Sequence, residues 1–163
     1  MKKIFFLAGA VLSFTWLIAA ETPVSANPVP YPEGFRSWVH VKTGIIGPQS
    51  KGFASSGGAH HIYANAPAME GYRTGNWPDG SIIVYDLWEL GDSNGNSPEV
   101  ARRWIDVMVK DSVRYAETGG WGFEEFDKSS RTVRNIGATA TTACYQCHTN
   151  RKANGYVFSA YRE

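Results

Sequence analysis

The sequence predicts an α+β fold, a mainly antiparallel β-sheet with short helices and a further helix near the C-terminus. Short runs of β-branched and aromatic residues recur along the chain, and turns rich in glycine, proline and asparagine separate them. Aromatic residues make up 13% of the chain, enough to build a substantial core or to line a large cofactor. No internal repeat or low-complexity tract interrupts this order, so we expect one domain.

The first two strands are predicted on either side of a loop. A proline-rich arm at 27–34 leads into a strand near Trp38–Thr43. A glycine- and serine-rich loop follows at 44–58, and HHIYAN at 60–65 returns as a strand. Regular alternation places three side chains on one face of the first strand: Trp38, His40 and Lys42.

The middle of the chain predicts a short helix and two strands. APAMEGYRTG at 66–75 has Pro67 in its first turn and Gly75 at its end, which is typical of a short helix. SIIVYDLWEL at 81–90 is the clearest strand, because turn residues bound its β-branched and aromatic run on both sides. RRWIDVMVK at 102–110 is predicted as the next strand.

The last part of the chain predicts a short helix, a strand and a second helix. DSVRYAETGG at 111–120 is predicted as a short helix with Asp111 or Ser112 as its cap and two glycines at its end. WGFEEFD at 121–127 alternates as a strand. From about Thr139 onward the chain is expected to be helical through both of its cysteines.

The N-terminus has the pattern of a secretory signal peptide at residues 1–26. Lys2 and Lys3 precede an uncharged apolar run from Ile4 to Ala20, and small residues before Ala26 offer a cleavage site. The alternative is a retained membrane anchor, for which this run is at the short limit. We therefore expect an exported, periplasmic protein that has no membrane segment after cleavage.

The mature domain, residues 27–163, is formally neutral. Cleavage removes Lys2, Lys3 and Glu21 from a chain of net charge +1. A neutral domain carries no broad positive field, so neither nucleic acid nor a membrane surface is an expected partner.

The motif CYQCH carries the clearest chemical signal. On a helix, Cys144, Cys147 and His148 share one face because they lie at positions i, i+3 and i+4. Two thiols there can add to the vinyl groups of a haem, and the adjacent histidine can bind its iron. The motif therefore predicts one covalently attached haem c per chain, with His148 as the proximal iron ligand.

Three other uses of the cysteines compete with haem attachment. A zinc site needs further ligands, and His40, His60 and His61 would complete one only with unusual spacing. A redox-active disulfide of the thioredoxin type expects a βαβ setting, which the strand order does not predict. A purely structural disulfide would close so short a loop that it would constrain the unfolded chain little.

Across residues 31–162 the sequence resembles the cytochrome P-460 family, which includes the cytochromes c′-β. The resemblance rests on YPEGFRSWVHVK, HHIYAN, GYRTGNWPDGSIIVYDL, VMVKDSVRYAETGGWGFEEF, CYQCH and GYVFS. It implies a β-walled distal pocket over a haem c, a periplasmic setting and a homodimer. Members with a lysine cross-linked to the haem oxidise hydroxylamine, whereas the c′-β members lack that lysine and bind nitric oxide and related small ligands.

The chain departs from the hydroxylamine-oxidising members at the position of that lysine. Aligned on Asp79-Gly80, the cross-linking lysine falls on Tyr85, so no lysine–haem cross-link is expected. The family's distal acidic residue falls on Asp106, and its distal arginine falls on His60. The resemblance thus implies a distal set of Tyr85, Asp106 and His60.

Each of these residues also has an ordinary structural interpretation. Tyr85 could be a core tyrosine, Asp106 a solvated carboxylate and His60 a histidine that supports a loop. The sixth iron position could be open, or filled by one of four side chains: His60, His61, Tyr85 or Met108.

Three functions fit the sequence. The first is a haem protein that binds or transforms hydroxylamine, nitric oxide or peroxide and exchanges electrons with a redox partner protein. The second is a six-coordinate electron carrier without substrate turnover, and the third is a nitric oxide scavenger or sensor. The sequence leaves open whether the protein is an enzyme.

Overall fold

A computed structural model describes residues 28–162, which form one five-stranded antiparallel sheet. The strands pair in chain order, so each is hydrogen-bonded to its neighbours in sequence. Their bounds are β1 Val39–Ile46, β2 Gly58–Ala64, β3 Ile82–Leu90, β4 Glu99–Lys110 and β5 Trp121–Asp127. The predicted α+β class is confirmed, and the expected signal peptide lies outside the described residues. None of the described helices is long and apolar enough to cross a membrane.

Short helices join the strands, as predicted. A single α-helical turn, α1, spans Phe53–Ser56, and α2 spans Ala66–Thr74 between β2 and β3. The Asn65 side chain caps α2 by accepting a hydrogen bond from the Ala68 backbone N–H. Gly75 ends α2 in the left-handed conformation that glycine adopts at little cost.

A chain of short helical pieces carries the two cysteines, and we call it the CxxCH segment, residues 137–154. It consists of a 3₁₀ turn, the π-helical turn Thr141–Tyr145, an α-helical turn α3 at Gln146–His148, and a final 3₁₀ stretch. In the π turn the Gln146 backbone N–H donates to the Thr141 carbonyl, five residues back. The predicted helix through the cysteines is therefore present, although it is not a regular α-helix.

A β-bulge in β1 overturns the predicted alternation of that strand. His40 pairs with Tyr63 and Lys42 pairs with Ile62, which leaves Val41 as an extra residue between them. His40 and Lys42 consequently lie on opposite faces of the sheet, whereas regular alternation had placed them on one face. Sequence alternation cannot reveal such an insertion, because it depends on how the neighbouring strand pairs.

Some predicted boundaries were also wrong. β1 continues through Ile46, so the loop begins later than position 44, and β4 begins at Glu99 instead of 102. The stretch 111–120 contains only turns and a short 3₁₀ helix at Ala116–Thr118. Asp111 nevertheless caps the first of these turns, since its carboxylate accepts the backbone N–H of Val113 and Arg114.

The two faces of the sheet pack against different parts of the chain. One face, which we call the arm face, is covered by the N-terminal arm, and Val29 and Phe35 join a buried cluster with Val84 and Phe126. The other face, the cavity face, packs partly against α2 and the CxxCH segment. The buried cluster of this second face comprises Val41, Ile62, Ala64, Ala68, Ile83, Met108, Trp121, Phe123 and Val157.

Candidate haem site

A cavity of about 700 Å³ lies between the cavity face and the CxxCH segment. Its volume is within the range of small-molecule and cofactor sites, and two other cavities measure about 390 Å³ each. Six residues singled out from the sequence line this one space: His60, Tyr85, Asp106, Cys144, Cys147 and His148. The fold thus places the cysteine motif opposite the three proposed distal residues.

The two cysteines are free thiols at the wall of this cavity. Cys144 is half-buried and Cys147 is exposed. Burial, followed by the charge of Asp106, raises the pKa of Cys144 to about 12. A thiol with so high a pKa lacks the thiolate character of redox-active cysteines, so the structure gives the disulfide alternative no support.

The geometry gives the zinc alternative no support either. Across residues 28–162, no group of three or more His, Cys, Asp or Glu side chains is arranged to hold a metal ion.

The sheet is antiparallel throughout this range and therefore lacks the βαβ unit of thioredoxin-like redox sites.

His148 is held in the tautomer that an iron ligand requires. Its Nδ1 lies 2.6 Å from the Tyr156 carbonyl oxygen, and because a carbonyl only accepts, Nδ1 carries the proton. The lone pair is then on Nε2, as in histidine ligands oriented by an outer hydrogen bond. The rings of Phe123 and Phe158 flank the imidazole at 4.9 and 5.0 Å between centroids. Burial lowers the pKa of His148, which favours the neutral, ligating form.

A cross-strand row of side chains forms the distal wall. Lys42, Ile62, Tyr85, Asp106 and Glu125 are successive register partners from β1 to β5, and all five line the cavity. The sequence pattern did not predict that Lys42 and Glu125 line the cavity. Only the strand register could have found them, and the β1 bulge hid the position of Lys42.

Asp106 and Glu125 form a carboxyl pair within this wall. Burial is the largest cause that raises the pKa of Asp106, to about 8, and the charge of Glu125 adds to it. The Trp104 indole Nε1–H donates to Asp106 Oδ2 at 3.1 Å, which acts in the opposite direction. Burial and the neighbouring acid therefore favour the protonated form of Asp106, which can donate a proton into the cavity. Asn135 orients its partner by donating to Glu125 Oε1 at 2.7 Å.

Tyr85 and His60 stack on each other beside this pair. Their ring centroids are 4.7 Å apart and the ring planes differ by 13°. Burial raises the pKa of Tyr85 to about 12, and the nearby charge of Asp106 acts in the same direction. Burial also lowers the pKa of His60, with smaller effects from Lys42 and His61. Tyr85 is thus a neutral phenol and His60 a neutral imidazole at pH 7.

His60 Nδ1 is buried without a hydrogen-bond partner among residues 28–162. A buried polar nitrogen with no partner is costly, and such atoms are typical of sites that are completed by a bound group. His60 therefore differs from the loop-supporting, hydrogen-bonded histidine of the structural interpretation.

Two of the proposed axial side chains have other surroundings. The prediction that His61 could fill the sixth iron position is wrong, because its ring is on the arm face between Thr43 and Glu99. The opposite orientation of adjacent strand residues is the physical reason. Met108 does line the cavity, but it is buried within the apolar cluster of the sheet.

The sheet, the cavity and the cysteine motif together define a haem-binding domain. The model of the family Cytochrome P460 matches residues 32–159, most of the chain, and the protein belongs to this family. Membership makes it a c-type haem cytochrome in general terms. No curated protein matches the sequence. The cavity fits such a cofactor, since both thiols and the oriented imidazole of His148 open onto it.

Proposed function

We propose that the mature protein is an exported haem c protein that binds or transforms a small ligand at the distal face of its iron. In this proposal Cys144 and Cys147 hold one haem per chain, and His148 is the proximal ligand. His60, Tyr85 and Asp106 act on the ligand. The single observation that supports a reactive site is the buried Asp106 carboxyl, the register partner of Glu125, in the same cavity as His148.

The three distal side chains supply protons and hydrogen bonds. When bound, the haem supplies an iron that takes hydroxylamine, nitric oxide or peroxide and exchanges electrons. Burial and the charge of Glu125 raise the pKa of Asp106, so this carboxyl can hold a proton at the cavity wall and supply it to a bound ligand. Tyr85 keeps its proton and serves as a hydrogen-bond donor.

Nitric oxide binding without turnover is a second candidate function. Apolar side chains also line the cavity, among them Ile62, Ile83 and Phe123, and they suit a small uncharged ligand. The third candidate, a six-coordinate electron carrier, requires a cavity side chain such as His60, Tyr85 or Met108 to occupy the iron. An electron carrier has no use for a buried carboxyl pair that can be protonated, which is why it ranks below ligand chemistry.

The setting and partners of the protein are also proposals. The apolar leader pattern at residues 1–26 supports export to the periplasm, and N-terminal sequencing of natively expressed protein should start near Asn27. Recovery of Met1 would contradict export with cleavage. The family resemblance supports a homodimer, and any turnover by electron transfer requires a redox partner protein.

The function is tested by ultraviolet–visible spectra of the haem-loaded protein with a matched pair of histidine variants. The reduced wild type should show an ordinary haem c spectrum, five-coordinate and without features of a lysine cross-link, and should rapidly bind carbon monoxide and nitric oxide. His60→Ala should change the ligand-binding rates, because this ring stacks on Tyr85 in the cavity. His61→Ala removes a neighbouring imidazole on the opposite face and should leave the rates near those of the wild type.

Two results would contradict this proposal. If the wild type is low-spin, ignores both ligands and becomes high-spin in His60→Ala, the protein is a six-coordinate electron carrier. Equal effects of the two histidine substitutions would show that the distal assignment of His60 is wrong.

A further inference from the structure

Gly44 and Tyr85 enclose the imidazole of His60 from opposite sides. Gly44 on β1 is the register partner of His60 on β2, and Tyr85 on β3 stacks on the ring from the other side. A Cβ atom added at Gly44 would lie 2.5 Å from His60 Cε1 and 2.6 Å from Nε2. The imidazole therefore occupies the space that any other side chain at position 44 would need.

The backbone does not explain the glycine. Gly44 is absent from the glycines with a positive φ, so an alanine there meets no conformational strain. Strand interiors normally disfavour glycine because it adds no side chain to the packing. Space for the His60 ring is consequently the physical reason for a glycine at this position.

We propose that Gly44 keeps the sixth iron position open by giving the His60 imidazole a resting place over β1. This inference rests on the proposed function, in which the iron of a haem c takes an external ligand. Gly44 is a positioning residue, since it acts on the iron only through the position of the His60 ring. While the His60 ring packs beside Gly44, the iron is open to external ligands. If the ring moved away from Gly44 and reached the iron, it would close the site.

A methyl group at position 44 leaves the ring one direction in which to move. The sheet backbone lies beneath the ring, the new methyl group blocks the side toward β1, and the Tyr85 ring blocks the side toward β3. The remaining direction leads away from the sheet and into the cavity that His148 lines. A neutral imidazole is a good ligand for iron, and His60 has a lowered pKa because it is buried.

The experiment compares four haem-loaded proteins: wild type, Gly44→Ala, Gly47→Ala and Gly44→Ala/His60→Ala. In Gly44→Ala the ferric and ferrous spectra should change from high-spin to low-spin six-coordinate. Carbon monoxide binding to the reduced form should weaken by about tenfold or more, because only the fraction with an open iron can bind. The double variant should return to high-spin and bind carbon monoxide again.

Gly47→Ala is the matched control. It adds the same methyl group just beyond the end of β1, where the nearest atom is Gln49 Oε1 at 3.7 Å. Its spectrum and carbon monoxide affinity should equal those of the wild type.

The remaining outcomes would overturn either this inference or the proposed function. A Gly44→Ala protein that stays high-spin and binds carbon monoxide normally overturns the proposal. If Gly44→Ala fails to fold while the double variant folds, the ring has no second position, and the proposal is again overturned. A wild type that is already low-spin overturns the proposed function, whereas a high-spin wild type with an unresponsive Gly44→Ala overturns this inference alone.

Discussion

His60 and His61 are neighbours in sequence with opposite chemical surroundings. On the arm face, His61 uses both ring nitrogens, since Nδ1 lies 2.8 Å from Thr43 Oγ1 and Nε2 lies 2.6 Å from Glu99 Oε1. On the cavity face, His60 Nδ1 is buried and finds no partner within residues 28–162. Of these two adjacent histidines, the one on the arm face has both ring nitrogens paired, and the one on the face assigned to the haem leaves Nδ1 unpaired.

Two aspartates on neighbouring strands repeat this contrast. Asp86 is fully buried on the arm face, and Arg36 and Arg102 donate to both of its oxygens at 2.6 to 3.2 Å. Asp106 faces the cavity beside a second acid, and burial with that acid raises its pKa to about 8. A buried carboxylate with cationic partners is structural, whereas one without them is available for proton transfer.

The largest effect is expected from removing the attachment points of the haem. The double substitution Cys144→Ala and Cys147→Ala should yield protein without covalent haem, largely unfolded or degraded, since the cavity of about 700 Å³ would lose its proposed occupant. Acid–acetone extraction followed by haem staining is the measurement. Haem that stays with this double variant through extraction would refute covalent attachment at these cysteines.

A smaller but still severe effect is expected on the arm face. Asp86→Asn leaves Arg36 and Arg102 without their buried anion and should lower the free energy of unfolding by about 3–5 kcal/mol. Asp106→Asn breaks no ion pair and should cost much less. Denaturant unfolding of the two variants side by side is the measurement. Equal losses would remove the distinction between a structural and a functional aspartate.

The last prediction concerns the pH dependence of stability. The pKa of Asp106 is about 8 when folded and near its ordinary value, 3.8, when unfolded, so the folded state binds more protons between these values. The stability contribution of this group is therefore complete below about pH 4 and is lost as the pH rises toward 8. Asp106→Asn should flatten this decline, and unfolding curves from pH 4 to 9 measure it. An unchanged slope would contradict the raised pKa.

The sequence predicts the elements of this fold better than their relative placement. β3 follows from its bounded β-branched and aromatic run, β5 from its alternation, and α2 from Pro67 in its first turn and Gly75 at its end. The motif at Cys144 predicts the site because local spacing encodes it. The roles of Lys42 and Glu125 depend on strand register, which one bulge in β1 changes and which no local pattern records.

The role of Gly44 is not predicted by the sequence pattern. In the sequence it opens a glycine- and serine-rich stretch and is typical of a loop. In the structure it lies within β1, opposite His60, where the missing side chain matters more than backbone freedom. A residue whose function is to leave space has no chemical signature of its own, so only its neighbours reveal it.

The π turn at Thr141–Tyr145 affects the direction in which the side chains of the CxxCH motif point around the helix axis. Each residue of a regular helix advances the side chains by about 100°, whereas a turn closed over five residues absorbs one residue without breaking the hydrogen bonds on either side. Shortening the chain by one residue before Cys144 would restore an ordinary α-helical turn while rotating the preceding chain relative to the thiols and His148. The direction in which the two thiols and His148 face the cavity is therefore set by the number of residues in this turn as well as by side-chain packing.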